Sequence, residues 1–155
     1  MDFKTGRELL ELCHQLDKPI SQVMRRRETD NGVLSETQIE EKLNTVVDIM
    51  RNGTRTPLRE PRKSMGGLIG GEAKLVYDHR TDGANVTGSI LSKAMAYSMA
   101  VLEVNASMGL IVAAPTAGSA GVVPGVLLSV AEEKQCTEEC LKSGLLNAGA
   151  VGYLL

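Results

Sequence analysis

The chain has 155 residues, 17 of them basic and 19 acidic, and a net charge of −2. With 43% hydrophobic residues, this excludes intrinsic disorder and a nucleic-acid binder held by bulk positive charge. Aromatic residues make up only 3%, with no Trp, one Phe and three Tyr, so the core must come from Leu, Val, Ile, Met and Ala, and stacking platforms for bases are disfavoured. Charge is spread unevenly. Up to Asp82 there are 14 basic and 14 acidic residues; the remaining 73 carry 3 and 5, and the 28 residues between Glu103 and Glu132 carry none.

From Thr5 the chain shows a helical period, with Leu9, Leu10, Leu12, Cys13 and Leu16 on one side and Arg7, Glu8, Glu11 and Gln15 on the other. Asp17-Lys18-Pro19 ends it. A second helix fits Ile20 to about Thr29, before the turn Asp30-Asn31-Gly32. Ser35 stands three residues before Gln38, a capping box that opens a third helix with Ile39, Leu43, Val46, Val47 and Met50 on its apolar face. Asn52-Gly53 is expected to close that helix, and the basic, proline-containing stretch from Thr54 to Ser64 reads as an extended connector.

Two glycine pairs follow in Ser64-Met65-Gly66-Gly67-Leu68-Ile69-Gly70-Gly71-Glu72. Such density permits positive φ and close backbone approach, as an anion-binding nest or a packed turn would need, but no Lys-Ser/Thr follows to make a P-loop. Tyr77-Asp78-His79-Arg80-Thr81-Asp82 reads as a charged turn in which His79 is a conceivable proton carrier. Thr87 or Ser89 can cap a helix through Ile90, Ala94, Tyr97, Val101 and Val104, ended by Gly109. Leu110 to Ala114 fits a short strand or an extended buried segment. Val122 to Glu133 fits a helix with Pro124 near its first turn, and Thr137 caps a last helix that is still apolar at Leu155. The fold class is therefore mainly α, about six helices with Gly-rich loops.

Val104 to Ala131 is long enough to span a bilayer, but Pro115, Pro124 and several glycines break it, so no membrane partner is expected. The N-terminus has no apolar signal segment, and three cysteines make no disulfide framework, which together favour the cytoplasm. Cys136 and Cys140, four apart on an expected helix, could share a face, with Cys13 as the remaining thiol; exposed charges around the pair argue against ligation. The uncapped apolar end suggests that the chain is part of something larger.

The longest unusual segment runs Asn105-Ala106-Ser107-Met108-Gly109, then Ala113-Ala114-Pro115-Thr116-Ala117-Gly118-Ser119, then Gly121 and Pro124-Gly125. A Gly/Ser-rich turn entering a helix offers N–H groups and hydroxyls to an anion, though tight packing through small residues explains it equally well. With Lys63-Ser64-Met65-Gly66-Gly67-Leu68-Ile69-Gly70-Gly71-Glu72, this segment closely resembles the α chain of iron-sulfur-dependent L-serine dehydratase, over essentially the whole chain. The resemblance implies a lyase that eliminates water from L-serine to give pyruvate and ammonia, with a 4Fe-4S cluster, not pyridoxal phosphate. The family's cluster cysteines lie in later motifs absent here, so the ligands are expected outside this chain and no metal residue is assigned within it.

By the same resemblance the partners are L-serine, the C-terminal half of the α chain and a β chain or β domain; no nucleic acid is implied. Thr116 and Ser119, with Asn105, Ser64, Gly66 and Gly67, are the substrate-binding candidates, and the catalytic base is left unassigned. Leu110 stands where relatives usually carry Lys or Arg. Alternatives are a related lyase acting on another small amino acid such as cysteine, and a non-catalytic helical interaction module.

Overall fold

In a computed structural model that describes residues 1–32, 34–81 and 85–155, seven α-helices and no strand make up the regular structure of the described residues. They are α1 (Gly6–Leu16), α2 (Ile20–Asp30), α3 (Glu36–Arg59), α4 (Glu72–His79), α5 (Ser89–Ala106), α6 (Ser119–Glu133) and α7 (Glu138–Leu154). The chain divides into two units, Met1–Thr45 with Glu138–Leu155, and Val46–Thr137. Mainly α is thus the observed class, and the helix beyond the expected six is α4.

The first unit holds α1, α2, the start of α3 and α7. Its α1 begins as the capping box requires: Glu8 N donates to Thr5 Oγ1 at 3.2 Å and Thr5 N donates to Glu8 Oε2 at 3.2 Å. Asp17, at φ 50, ends the helix in the left-handed conformation. Phe3, Leu9, Val23, Met24 and Ala150 form the buried cluster, with Leu12, Cys13 and Leu16 packed against it. Leu10, expected on the same apolar face, is instead exposed. Phe3 meets Tyr153 edge to face at 5.6 Å, and Arg27 lies 4.0 Å over the Tyr153 ring while its Nε donates to Asp2 at 2.7 Å.

Ion pairs tie α7 to its neighbours in this unit. Lys142, buried on α7, donates to Glu40, which also accepts from Arg25 at 3.1 Å. The Lys142 ammonium, then burial opposing it, then Arg25 set the Glu40 carboxyl, whose net shift is below the usual value.

The second unit is built on α5. Against expectation, α3 does not stop at Asn52-Gly53 but runs on through Pro57 to Arg59. Gly53 carries no positive φ, so it is not a helix terminator here; its bare face lets Val101 of α5 come within ordinary contact, 3.5 Å from where a Cβ would stand. Thr54 and Pro57 are buried beside it. Packing has overridden the helix-breaking tendency of an Asn-Gly-Thr-Arg-Thr-Pro run. Only Glu60 to Ser64 of the expected connector is non-helical.

Helix α4 occupies a stretch read as loop and charged turn. His79 is its last residue, and Asp82 of that expected turn lies outside the described residues. Neither Thr87 nor Ser89 caps α5: its N-cap is Gly88, and the Thr87 hydroxyl instead joins Asn85 and Ser92. The segment Leu110 to Ala114 forms no strand and is not buried. Cys136 precedes α7 and only Cys140 is helical, so the two cysteines do not share a helix face. Among the described residues no helix is long and apolar enough to cross a membrane.

Candidate functional site

Two helices pack antiparallel on α5. On one side Ala73 of α4 donates its N–H to Glu103 Oε1 at 2.8 Å, while four residues on, the Tyr77 ring stacks on Tyr97 at 6.0 Å. On another, α6 lies against α5 through glycines: a Cβ on Gly121 would stand 2.8 Å from the Ser98 carbonyl, and one on Gly125 only 2.8 Å from the Ala94 carbonyl. Rising numbers in α4 and α6 therefore face falling numbers in α5. The N-termini of α4 and α6 both lie toward the C-terminal end of α5, on different sides of that helix.

That end is closed by a Schellman turn. Gly109 N donates to Val104 O at 2.8 Å and Met108 N to Asn105 O at 3.0 Å, with Met108 in the left-handed region at φ 62. Asn105 keeps its side chain exposed. The glycine-rich loop is pinned to the same place, since Met65 N donates to Ala106 O at 3.3 Å. Within the loop Ser64 N donates to Ile69 O at 2.8 Å and Gly67 N to Ser64 O at 2.9 Å, which makes it a hydrogen-bonded turn.

Its glycines are not equivalent. Gly70, at φ 140, passes so close to the chain that a Cβ would stand 2.2 Å from the Arg62 carbonyl oxygen, whereas Gly66 and Gly67 face open space. Glycine is thus demanded by packing at Gly70 and by φ 68 at Gly67, while Gly66 has room for a ligand or a side chain. Thr116 and Ser119 form a reciprocal pair at the start of α6. Thr116 N donates to Ser119 Oγ at 3.0 Å and Ser119 N to Thr116 Oγ1 at 3.2 Å, with the two hydroxyls 3.0 Å apart. Of the candidates, Ser64, Gly66 and Gly67 are held beside Asn105, and the Thr116–Ser119 pair sits at the same end of α5.

Glu103 is the residue that sequence reasoning passed over. It is only 4% exposed, and while Oε1 receives Ala73 N–H, Oε2 is buried with no hydrogen-bond partner. Its carboxyl fills the anion position at the N-terminus of α4, so that end does not await an outside anion. Glu72, next to it, has its carboxyl held below the usual range by its own backbone N–H and that of Gly70, the latter 2.6 Å away. A cavity of about 180 Å³ opens beside Glu103, lined by Asn52, Thr56, Arg62, Ser107 and Leu110 among others. The one sequence hint was a charge set among Val101, Leu102 and Val104.

Elsewhere in this unit Glu132 accepts from Arg55 Nη2 at 2.8 Å, Tyr97 Oη at 2.8 Å and Lys93 Nζ at 2.6 Å. Burial pushes its carboxyl up, but the three donors together hold it below the usual value. Burial, then the bond to Glu132, raises the Tyr97 hydroxyl. This network joins α3, α5 and α6. His79, at the exposed end of α4, belongs to neither cluster as a demonstrated proton carrier.

Among the described residues no group of three or more His, Cys, Asp or Glu side chains is placed to hold a metal ion. The donor set of these residues therefore does not fit an iron-sulfur cluster.

The family model described as "Serine dehydratase alpha chain" matches residues 15–155. The L-serine dehydratase alpha chain of Peptoniphilus asaccharolyticus is 33% identical over 153 residues, covering 99% of this chain and 52% of that protein. A probable L-serine dehydratase alpha chain from Bacillus subtilis is 34% identical over 153 residues, with 99% and 51% covered. The L-serine dehydratase of Helicobacter pylori is 29% identical over 157 residues, with 99% and 34% covered. The chain thus spans about half the length of the first two relatives. No solved structure matches it. By the match over residues 15–155, the chain belongs to the serine dehydratase alpha chain family.

Proposed function

We propose that this chain is the substrate-binding part of an L-serine dehydratase, a lyase that removes the Cα proton and the β-hydroxyl of L-serine as water. The aminoacrylate so formed hydrolyses to pyruvate and ammonia. The observation that supports this reading is that the Met65 N–H ties the Ser64–Gly67 loop to Ala106, next to Asn105 at the end of α5, the end toward which α6 opens with Thr116 and Ser119, in a chain whose relatives are named L-serine dehydratase.

In this reading the serine carboxylate is received at the start of α6. The Thr116 hydroxyl, which donates to Ser119 Oγ, and the Ser119 hydroxyl, which donates to the Thr116 carbonyl at 2.7 Å, turn to it together with the N-terminal dipole. Asn105 offers its side-chain amide from α5, and the space at Gly66 admits the amino acid against the loop. Glu103 is a positioning residue: by holding Ala73 it fixes the entry to α4 and the loop before it. The catalytic base and the 4Fe-4S cluster belong, in this proposal, to the remaining half of the alpha chain, which acts with a β chain or β domain in the cytoplasm.

Anaerobic assay tests it. The chain alone should release no pyruvate from serine. Reconstituted with the half of the B. subtilis alpha chain that it does not span and with a β polypeptide, it should release pyruvate from serine in preference to threonine or cysteine. Preference for cysteine would reassign the substrate, and a folded, iron-loaded assembly inert to all three would overturn the catalytic reading.

A further inference from the structure

The α5–α6 pair leaves one broad face without a partner. On α5, Leu91, Met95 and Leu102 recur at helical spacing and are 51%, 44% and 41% exposed; on α6, Val122, Val126 and Val130 are 53%, 45% and 39% exposed. Both sets are stripes by the 3.6-residue period. Their relation follows from the packing. On α5 the stripe is rotated from the line of contact with α6, marked by Ala94 and Ser98, in the direction of rising residue angle, with Leu102 at the seam beside Gly121. On α6 it is rotated in the same sense from the contact glycines Gly121 and Gly125. In antiparallel helices, equal senses of rotation bring both stripes out on one side of the pair. Buried residues of α5 such as Ala96, Ala100 and Glu103 point away from it, toward α4 and the rest of the unit.

Charge is confined to the edge of this face. The run from 104 to 131 that includes α6's stripe has no charged residue, the exposed Glu133 closes that stripe at the end of α6, and the nearby Lys93 and Glu132 are paired at 2.6 Å. Six large apolar side chains half in water, with no charge among them, form the kind of patch that proteins cover. What covers it is indicated by length: 99% of this chain aligns with only 52% and 51% of the two alpha-chain relatives, so about half of such a chain lies beyond these residues.

We propose that the face formed by Leu91, Met95, Leu102, Val122, Val126 and Val130 is the seat on which the remaining half of a serine dehydratase alpha chain packs. The proposal rests on the reading of this chain as part of such an alpha chain. The occupant it requires presents an apolar surface.

Co-expression tests it. The 155-residue chain is tagged and produced with the half of the B. subtilis alpha chain that it does not span. The expected result is a one-to-one complex that Met95→Glu or Val126→Lys weakens by about tenfold or more, whereas Leu75→Glu, on the 71% exposed Leu75 of α4, leaves it intact. Circular dichroism of each variant alone should match the parent, because the altered side chains are exposed. Three results overturn the proposal: a complex insensitive to both stripe variants, no complex between the two polypeptides, or a stripe-dependent homodimer that excludes the added half. The readout is binding, so a complex that follows the prediction yet turns over no serine leaves the surface standing and counts against the catalytic reading alone.

Discussion

Gly125 shows how little room single atoms have in this chain. A methyl group there would stand 2.1 Å from Ser98 Oγ and 2.8 Å from both the Ala94 carbonyl and the Ser98 nitrogen. The side chain can rotate away, but the backbone of α5 cannot. Gly125→Ala is therefore expected to lower stability by about 1–3 kcal/mol, the range for overpacking a closed interface, in urea melts followed by circular dichroism. Gly66→Ala, with open space around it, should be nearly silent in the same melts. Met108 argues in the opposite direction. It is a non-glycine residue at φ 62 in the Schellman turn, and its side chain is exposed, so Met108→Gly should raise stability by about 0.5–1 kcal/mol. Removing Glu103 is different again, because Ala73 N–H would lose its Glu103 acceptor in a buried place. Glu103→Ala should cost about 1–3 kcal/mol.

Among elements, those set by local chemistry were legible from sequence and those set by distant packing were not. The box at Ser35–Gln38 needs only four residues and forms as read, with Ser35 N donating to Gln38 at 2.9 Å; the equally local box at Thr5–Glu8 was not read from sequence. Pro19 likewise marks the start of α2. By contrast, Asn52-Gly53 looked like a stop because nothing local reveals that Val101, far along the chain, lies against Gly53. Helix α4 escaped notice because its eight residues bury little beyond Ala73. At the site, the glycine loop was readable as a turn, but not that Gly70 rather than Gly66 is the packed one. Glu103's burial depends on a donor 30 residues earlier.

The network on Glu132 gives the element scale its pH test. Its carboxyl titrates below the ordinary 4.5 in the folded chain, so the unfolded chain takes up the proton first on acidification. The stabilisation is complete above about 4.5 and is lost as pH falls through the lowered value. The melting temperature of the parent chain should therefore fall on going from about pH 5 to about pH 3, and Glu132→Gln, already less stable at neutral pH, should fall less. Parallel profiles would assign the acid sensitivity elsewhere, Glu40 in the first unit being the next carboxyl held low.

At the scale of the whole molecule, charge and apolar surface are sorted along the sequence: residues before 83 carry most of the charge, and α5 and α6 carry the open apolar face. The same two helices carry Asn105 and Ser119, so the proposed substrate end and the proposed seat for the other half adjoin on one helix pair. Assembly and activity should therefore respond separately to substitution. Changes at Met95 and Val126 should cost association, and changes at Thr116 and Ser119 should cost substrate affinity within an intact assembly. The most direct measurement is steady-state pyruvate formation from L-serine by the reconstituted protein carrying Thr116→Val with Ser119→Ala, beside the parent. A KM for serine raised about tenfold or more, with the assembly intact by size-exclusion chromatography, is the predicted result; kinetics unchanged from the parent would contradict the placement of the substrate at the start of α6.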